Sequence, residues 1–286
     1  MLLPAITEAT PESRLIPCPH CGSDRINKDG TFAWKDGTRR QRYWCKACET
    51  SFNEDTDTPR HYLKKRTQWN LQAQGLGQGL PVRQMAAILG VTVATAFAWR
   101  HRLLGALRQG PGPVLGGTVS VGEAFVRYSE KGCRMDRKEA KPIRRFVDRK
   151  PVCVLLLTAG ELHTTVASGQ GRPTAGDLAA CLAPLLAPGA ELQVFGALPY
   201  AEACGRLGVV VGKAHGQGSV SLRAVDRLHA ALHGWLGHFS GVATKYLPNY
   251  LIWLRFVHNS PWTKATDVGL RMLGLDAAPA PVRQAA

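Results

Sequence analysis

Two cysteine pairs, Cys18-Pro-His-Cys21 and Cys45-Lys-Ala-Cys48, are separated by 23 residues near the start of the chain. Tetrahedral zinc accepts four thiolates, and two tight turns that each present a pair of sulfurs meet that geometry with little strain. Asp36-Gly37 is a hairpin signal between Thr31–Trp34 and Gln41–Trp44, as a ribbon requires. A module of this size cannot bury enough apolar surface to fold alone, so bound metal would supply the missing stabilisation. Cys18, Cys21, Cys45 and Cys48 are therefore the expected ligands of a structural zinc, with a redox dithiol as the competing reading. His20 lies inside the first knuckle and is not expected to bind the metal. Cys133, Cys153, Cys181 and Cys204 are dispersed singly, and Cys153, in an apolar run, reads as a small buried hydrophobe.

The 286 residues suffice for two or three compact domains, and an apolar content of 45% favours a globular chain. A net charge of +15 favours polyanionic partners, nucleic acid first. No apolar run approaches the length of a spanning helix. Met1 to Pro17 carries Glu8 and Glu12 and does not read as a signal peptide. The expected setting is cytoplasmic and nucleoid-associated, with no membrane partner. Cysteines in such a compartment point to metal or free thiols.

His61 to Leu107 has helical periodicity. Within it, the run from Leu80 to Thr92 supplies a helix with Met85, Ile88 and Leu89 on one apolar face, a turn at Gly90, and Thr92 as the cap of a second helix reaching Leu104. Val93, Phe97 and Leu103 or Leu104 are expected to pack inward. Thr92, Thr95, Arg100 and Arg102 then remain to meet DNA bases or phosphates. An ordinary helical hairpin is the competing reading.

After a Gly/Pro linker at 109–113 the pattern alternates. Strand-like runs fall at Thr118–Phe125, Val152–Thr158, Glu161–Ala167, Glu191–Phe195 and Gly208–Gly212. Helix-like stretches fall at Asp177–Leu186, after Leu198, and at Val220–Phe239. This is the order of a ribonuclease-H-like fold and also suits other α/β folds. The expected organisation is a leader at 1–17, a zinc ribbon at 18–59, a helix-turn-helix domain at 60–108, an α/β (α+β) core at 114–275 and a disordered tail at 276–286.

These features together resemble the insertion-sequence 1595 (ISXO-type) family of DDE transposases. The likeness rests on Cys18 to Pro59 with Tyr43-Trp44-Cys45-Lys46, on Arg83 to Leu104, and most specifically on Phe239-Ser-Gly-Val-Ala-Thr-Lys-Tyr-Leu-Pro-Asn-Tyr250. It implies a ribonuclease-H-like core that uses magnesium ions to cut and join DNA. The catalytic pattern is degenerate here. Gly122 stands where the family has its first aspartate and Phe195 where it has the second. Asp226 and His233 occupy the two positions expected to matter on the last helix, and a slip of one residue would promote Glu123. Two-metal phosphoryl transfer needs carboxylate oxygens around two hard cations. Glycine and phenylalanine offer none, so the reading is a DNA-binding protein of transposase origin without strand-transfer activity, with magnesium not held.

Two alternatives stand beside it: an active transposase recruiting Glu123, Asp226 or His233, and a zinc-ribbon adaptor for RNA or protein. Duplex DNA is the expected partner, with a homo-oligomer as a further expectation. Asp226, His229 and His233 fall on one helix face and read as a polar lining, or else as a new metal site. Arg127 to Lys150, with ten basic against four acidic residues, is either a phosphate-tracking segment or a solvated loop. Asp177 and Glu202 are expected to be surface charges.

Overall fold

The computed structural model describes residues 17–33, 37, 39–57, 61, 66–109, 114–131, 151–195, 198–213 and 220–259. The leader before Pro17, the tail, and most of the basic segment expected at 127–150 lie outside the described residues. The chain forms two compact units, Met1–Trp69 and Asn70–Ala286.

The first unit is a three-stranded antiparallel sheet of β1 (Ile26–Ala33), β2 (Arg39–Cys45) and β3 (Thr50–Asn53). Its small core joins Cys18, Cys45 and Phe52, with Tyr43 stacked on Phe52 at a ring separation of 5.5 Å. An apolar cluster this small leaves the sulfurs as its main contents, which is why the expected metal dependence follows from size alone.

The second unit takes in most of α1 (Arg66–Gly77), then α2 (Val82–Leu89) and α3 (Val93–Gln109), ahead of the larger sheet. That sheet contains β4 (Thr118–Val126), β5 (Val152–Thr158), β6 (Leu162–Ser168), β7 (Glu191–Phe195) and β8 (Val210–Lys213), interleaved with α4 (Ala175–Leu182), α5 (Tyr200–Leu207), α6 (Val220–His238) and α7 (Leu247–Asn259). The strand order is β6-β5-β4-β7-β8. β5 runs antiparallel to both neighbours, while β4, β7 and β8 are parallel.

Helices cover both faces, so β5 is apolar and buried along nearly its whole length and does not alternate. Val119, Val121, Cys153, Leu155 and Leu157 pack with Leu178, Leu182 and Tyr200 of α4 and α5. Ala124, Val152, Val154 and Leu156 pack on the other face with Leu228, Leu232, Leu247, Leu251 and Leu254 of α6 and α7. Cys153 is fully buried, as a small hydrophobe should be. α4 opens with a reciprocal cap: Thr174 Oγ1 accepts from Asp177 N at 3.2 Å, and Asp177 Oδ2 accepts from Thr174 N at 2.9 Å. No single helix among the described residues is long and apolar enough to cross a membrane.

Candidate metal centre and nucleic-acid interface

The two knuckles fold alike. Gly22 N donates to Cys18 O at 2.8 Å, and Glu49 N to Cys45 O at 3.0 Å. The residue after each second cysteine is left-handed, Gly22 at φ 73° and Glu49 at φ 55°. The four sulfurs converge within 4.8 Å of one another. Cys18 Sγ lies 3.6 Å from Cys48 Sγ, and Cys21 Sγ 3.6 Å from Cys45 Sγ. A tetrahedral ion with metal–sulfur bonds of about 2.3 Å requires sulfur–sulfur edges of about 3.8 Å, so the donor set fits zinc. The Cys45 thiol is held down to about 6: burial works against this, but the Cys48 and Ala47 amides and the neighbouring thiols outweigh it. His20 is exposed and stands outside the cluster. Among the described residues no other group of three or more His, Cys, Asp or Glu side chains is arranged to share an ion.

α2 and α3 are joined through Gly90, left-handed at φ 60° and ψ 39°, and the chain turns through 107° between them. That lies in the range of a DNA-binding helix pair. Thr92 caps α3: its Oγ1 accepts from Thr95 N at 3.2 Å and pairs with Thr95 Oγ1 at 2.9 Å. Met85, Leu89, Leu103 and Leu104 are buried as expected. Ile88 and Val93, expected inside, are instead 55% and 45% exposed.

Arg100 is a correction. Expected on the DNA face, it is only 1% exposed. Its Nη2 donates to Leu80 O at 2.6 Å, and its guanidinium stacks 4.7 Å from the Trp253 ring centroid. A side chain committed to a carbonyl and an indole cannot also meet a phosphate. Of the four residues expected to meet DNA, Thr92 and Arg102 are exposed and Thr95 is half-buried.

The segment at 239–250, the most family-like stretch of the sequence, builds this interior. Phe239 packs on Trp235, Tyr250 and Trp253 at ring separations of 5.0, 5.0 and 4.9 Å. Tyr246 meets Phe97 and His101 of α3 at 5.1 and 4.3 Å. Asn249 bridges to α3 twice, accepting from Arg108 Nη1 at 3.2 Å and facing His101 Nδ1 at 2.9 Å. Trp253 Nε1 donates to Leu76 O at 2.7 Å, tying α7 to α1. The segment therefore fixes α3 and its partner α2 to the α/β core. Neither this role nor α7 itself is among the expectations from sequence. The aromatic spacing at 235, 239, 246, 250 and 253 was the available signal.

At the positions expected to be degenerate catalytic ones, Gly122 of β4 is the register partner of Phe195, the last residue of β7. The Gly122 Cα faces α6. A methyl group there would overlap Val225 Cγ1 and lie 3.1 Å from His229 Nε2. Glu123 faces the opposite side of the sheet by strand alternation. Its Oε1 accepts from Leu198 N at 2.9 Å, and its charge helps raise the Tyr200 hydroxyl and Cys153 thiol after burial has done most of the work. Glu123 is thus separated from α6 by the sheet. Asp226 is exposed on α6, and His233 lines a cleft of about 550 Å³ with Arg127, Tyr128 and Lys131, where basic neighbours disfavour a divalent cation. Burial pushes His229 down, His233 adds to this, and Asp226 opposes it. Asp177 is used in its helix cap and Glu202 pairs with Arg206 at 2.7 Å, so both act as surface charges.

No family model matches the chain. It is similar to a protein of Halobacterium salinarum described as an uncharacterized protein in transposable element ISH50, with 30% identity over 124 residues, 43% of this chain and 40% of that protein. The match spans less than half the length of this relative.

Proposed function

We propose that this chain is a duplex-DNA-binding protein of transposase origin, with a zinc-held ribbon, a helix-turn-helix and a ribonuclease-H-like core that has lost its nuclease chemistry. The observation that carries the reading is charge on the helix pair: the stretch 66–109 contains no Asp or Glu, and Arg83, Arg102 and Arg108 of the pair are exposed. A 107° helix pair without a single carboxylate suits a polyanion. The core reading is supported by the strand order with one antiparallel member, β5. Loss of chemistry is supported by Gly122 and Phe195 standing side by side where two carboxylates would have to hold magnesium, since neither offers an oxygen. The residues present do not fit a magnesium pair, so no cleavage step is assigned to them.

Binding of a random-sequence duplex, followed by fluorescence anisotropy as salt is raised, tests the DNA reading. Affinity should fall steeply, because each phosphate contact releases counterions. Salt-independent binding, or stronger competition by RNA than by duplex DNA, would favour the adaptor reading. The same protein incubated with magnesium or manganese and supercoiled DNA should leave it uncut, and robust nicking would restore the enzyme reading.

A further inference from the structure

The recognition helix of a helix-turn-helix reads bases with its N-terminal residues. In α3 those are Val93, Ala94, Thr95 and Ala98, preceded by Thr92. Side chains that read guanine or adenine with paired hydrogen bonds are Arg, Lys, Asn and Gln. Among residues 92–101 the one residue of those types is Arg100, and it is buried against Trp253. The Thr92 and Thr95 hydroxyls already pair with each other at 2.9 Å. Around the Gly90 turn and along the start of α3 the exposed side chains are, Thr92 aside, apolar: Ile88, 55% exposed just before the turn, Val93, 45% exposed just after it, and the methyls of Ala94 and Ala98, with Gln84 exposed a turn earlier on α2. Arg83 and Arg102, both exposed, flank this face.

We propose that this face reads the C5-methyl groups of thymine in the major groove, so that the chain selects A·T-containing duplex sites. The inference rests on the duplex-DNA reading and specifies its target. Charge complementarity names the occupant. An apolar face meant for a protein partner needs no basic surround, whereas this one lies on a segment, 66–109, with no acid, whose helix pair exposes Arg83 and Arg102. Thymine is the base whose groove edge carries a methyl group, and apolar contact with it is an established mode of readout. Short alanine side chains let the helix backbone approach the bases closely, which long polar side chains would prevent.

The test uses the zinc-loaded full chain and a random-sequence duplex library. Selected sites should be enriched in A·T pairs. Replacing dT by dU in a selected site removes the methyl group and leaves every hydrogen-bonding group unchanged. Affinity should then fall about fourfold for each methyl read, the fold-change corresponding to roughly 0.8 kcal/mol per buried methyl. Val93→Ser, a change at an exposed position, should shrink the dT/dU ratio while keeping the salt dependence. Equal affinity for dT and dU sites would overturn the thymine reading and leave the DNA reading standing. Absence of binding to either duplex at low salt would overturn both. If Ile88→Ser and Val93→Ser alter self-association by sedimentation and leave the dT/dU ratio unchanged, the face joins copies of the chain and the proposal fails.

Discussion

Gly122 of β4 stands in register with Phe195 of β7, on adjacent parallel strands. These are the two positions at which the resembled family would carry its first two carboxylates; the chain offers no oxygen ligand from either side chain. It has also closed the space: α6 sets Val225 against the bare Gly122 Cα. A side chain at position 122 would therefore overlap Val225 unless α6 gives way.

Gly122→Ala should therefore destabilise the second unit by about 1–3 kcal/mol, the usual cost of overpacking. Val225→Ala alone should also destabilise, through a cavity, by on the order of 1–2 kcal/mol. Together the two should cost less than their sum, because the removed methyls make room for the added one. Urea unfolding of the four proteins measures the coupling. Strict additivity would show that α6 does not rest on Gly122. Gly122→Asp, by the same packing, should produce no magnesium-dependent gain in stability unless Val225 is also reduced.

Much of this architecture was legible because its causes are local. Cysteine spacing gave the four-sulfur cluster, Gly90 and Thr92 gave the turn and cap, and short strand-like runs gave the strands, with Val152–Thr158 and Glu191–Phe195 matching to the residue. Misreadings came where local pattern and tertiary packing disagree. Arg100 reads as a DNA contact because arginines are usually solvated, and only the carbonyl of Leu80 and the ring of Trp253, distant in sequence, make its burial tolerable. Ile88 and Val93 read as core because they are apolar, yet Ile88 is exposed at the end of α2 and Val93 in the first turn of α3. α7 was missed because its apolar residues serve two partners, β6 and α3, so no single stripe stands out.

The four-sulfur site should hold about one zinc per chain. Cys45→Ser should release it and unfold the first unit, seen as loss of the Trp44 environment by fluorescence and loss of zinc by elemental analysis. Glu49→Gly offers a finer check. Glu49 is left-handed at φ 55° in the second knuckle, where its counterpart in the first is Gly22. Glycine should relieve roughly 1 kcal/mol of backbone cost, raising the midpoint of unfolding of the zinc-loaded protein. An unchanged or lowered midpoint would mean that the left-handed turn is not populated.

Arg100→Ala should unfold or loosen the α2–α3 pair and leave no specific mark on base preference. The buried guanidinium combines a charge-assisted hydrogen bond with stacking on Trp253, contacts of about 2–3 kcal/mol together once burial is offset. Arg102→Ala, at an exposed position, should weaken DNA binding and reduce its salt slope with no loss of stability. Thermal unfolding and anisotropy on both variants separate the two roles. Equal stability losses, or a base-specific defect in a fully folded Arg100→Ala protein, would return Arg100 to the DNA face.

The junction between α3 and α7 should weaken in mild acid. Asn249 Oδ1 accepts from Arg108, which turns its Nδ2 toward His101 Nδ1 at 2.9 Å. His101 must therefore keep Nδ1 unprotonated to accept that bond. Burial, aided by the charge of Arg100, pushes its pKa from 6.5 down to about 4. The unfolded chain consequently binds a proton at a higher pH than the folded one. Stability from this group is complete above about pH 6.5 and is lost as pH falls toward 4. Burial shifts His163, His229 and His258 in the same direction, so the parent protein alone cannot isolate the effect. His101→Phe keeps a ring against Phe97 and Tyr246, which lie 4.2 and 4.3 Å away, and removes the titration. Urea unfolding at pH 7.5 and pH 5 should show a smaller loss of stability in the variant than in the parent. Equal losses in the two proteins would mean that protonation of His101 does not oppose the docking of the helix-turn-helix.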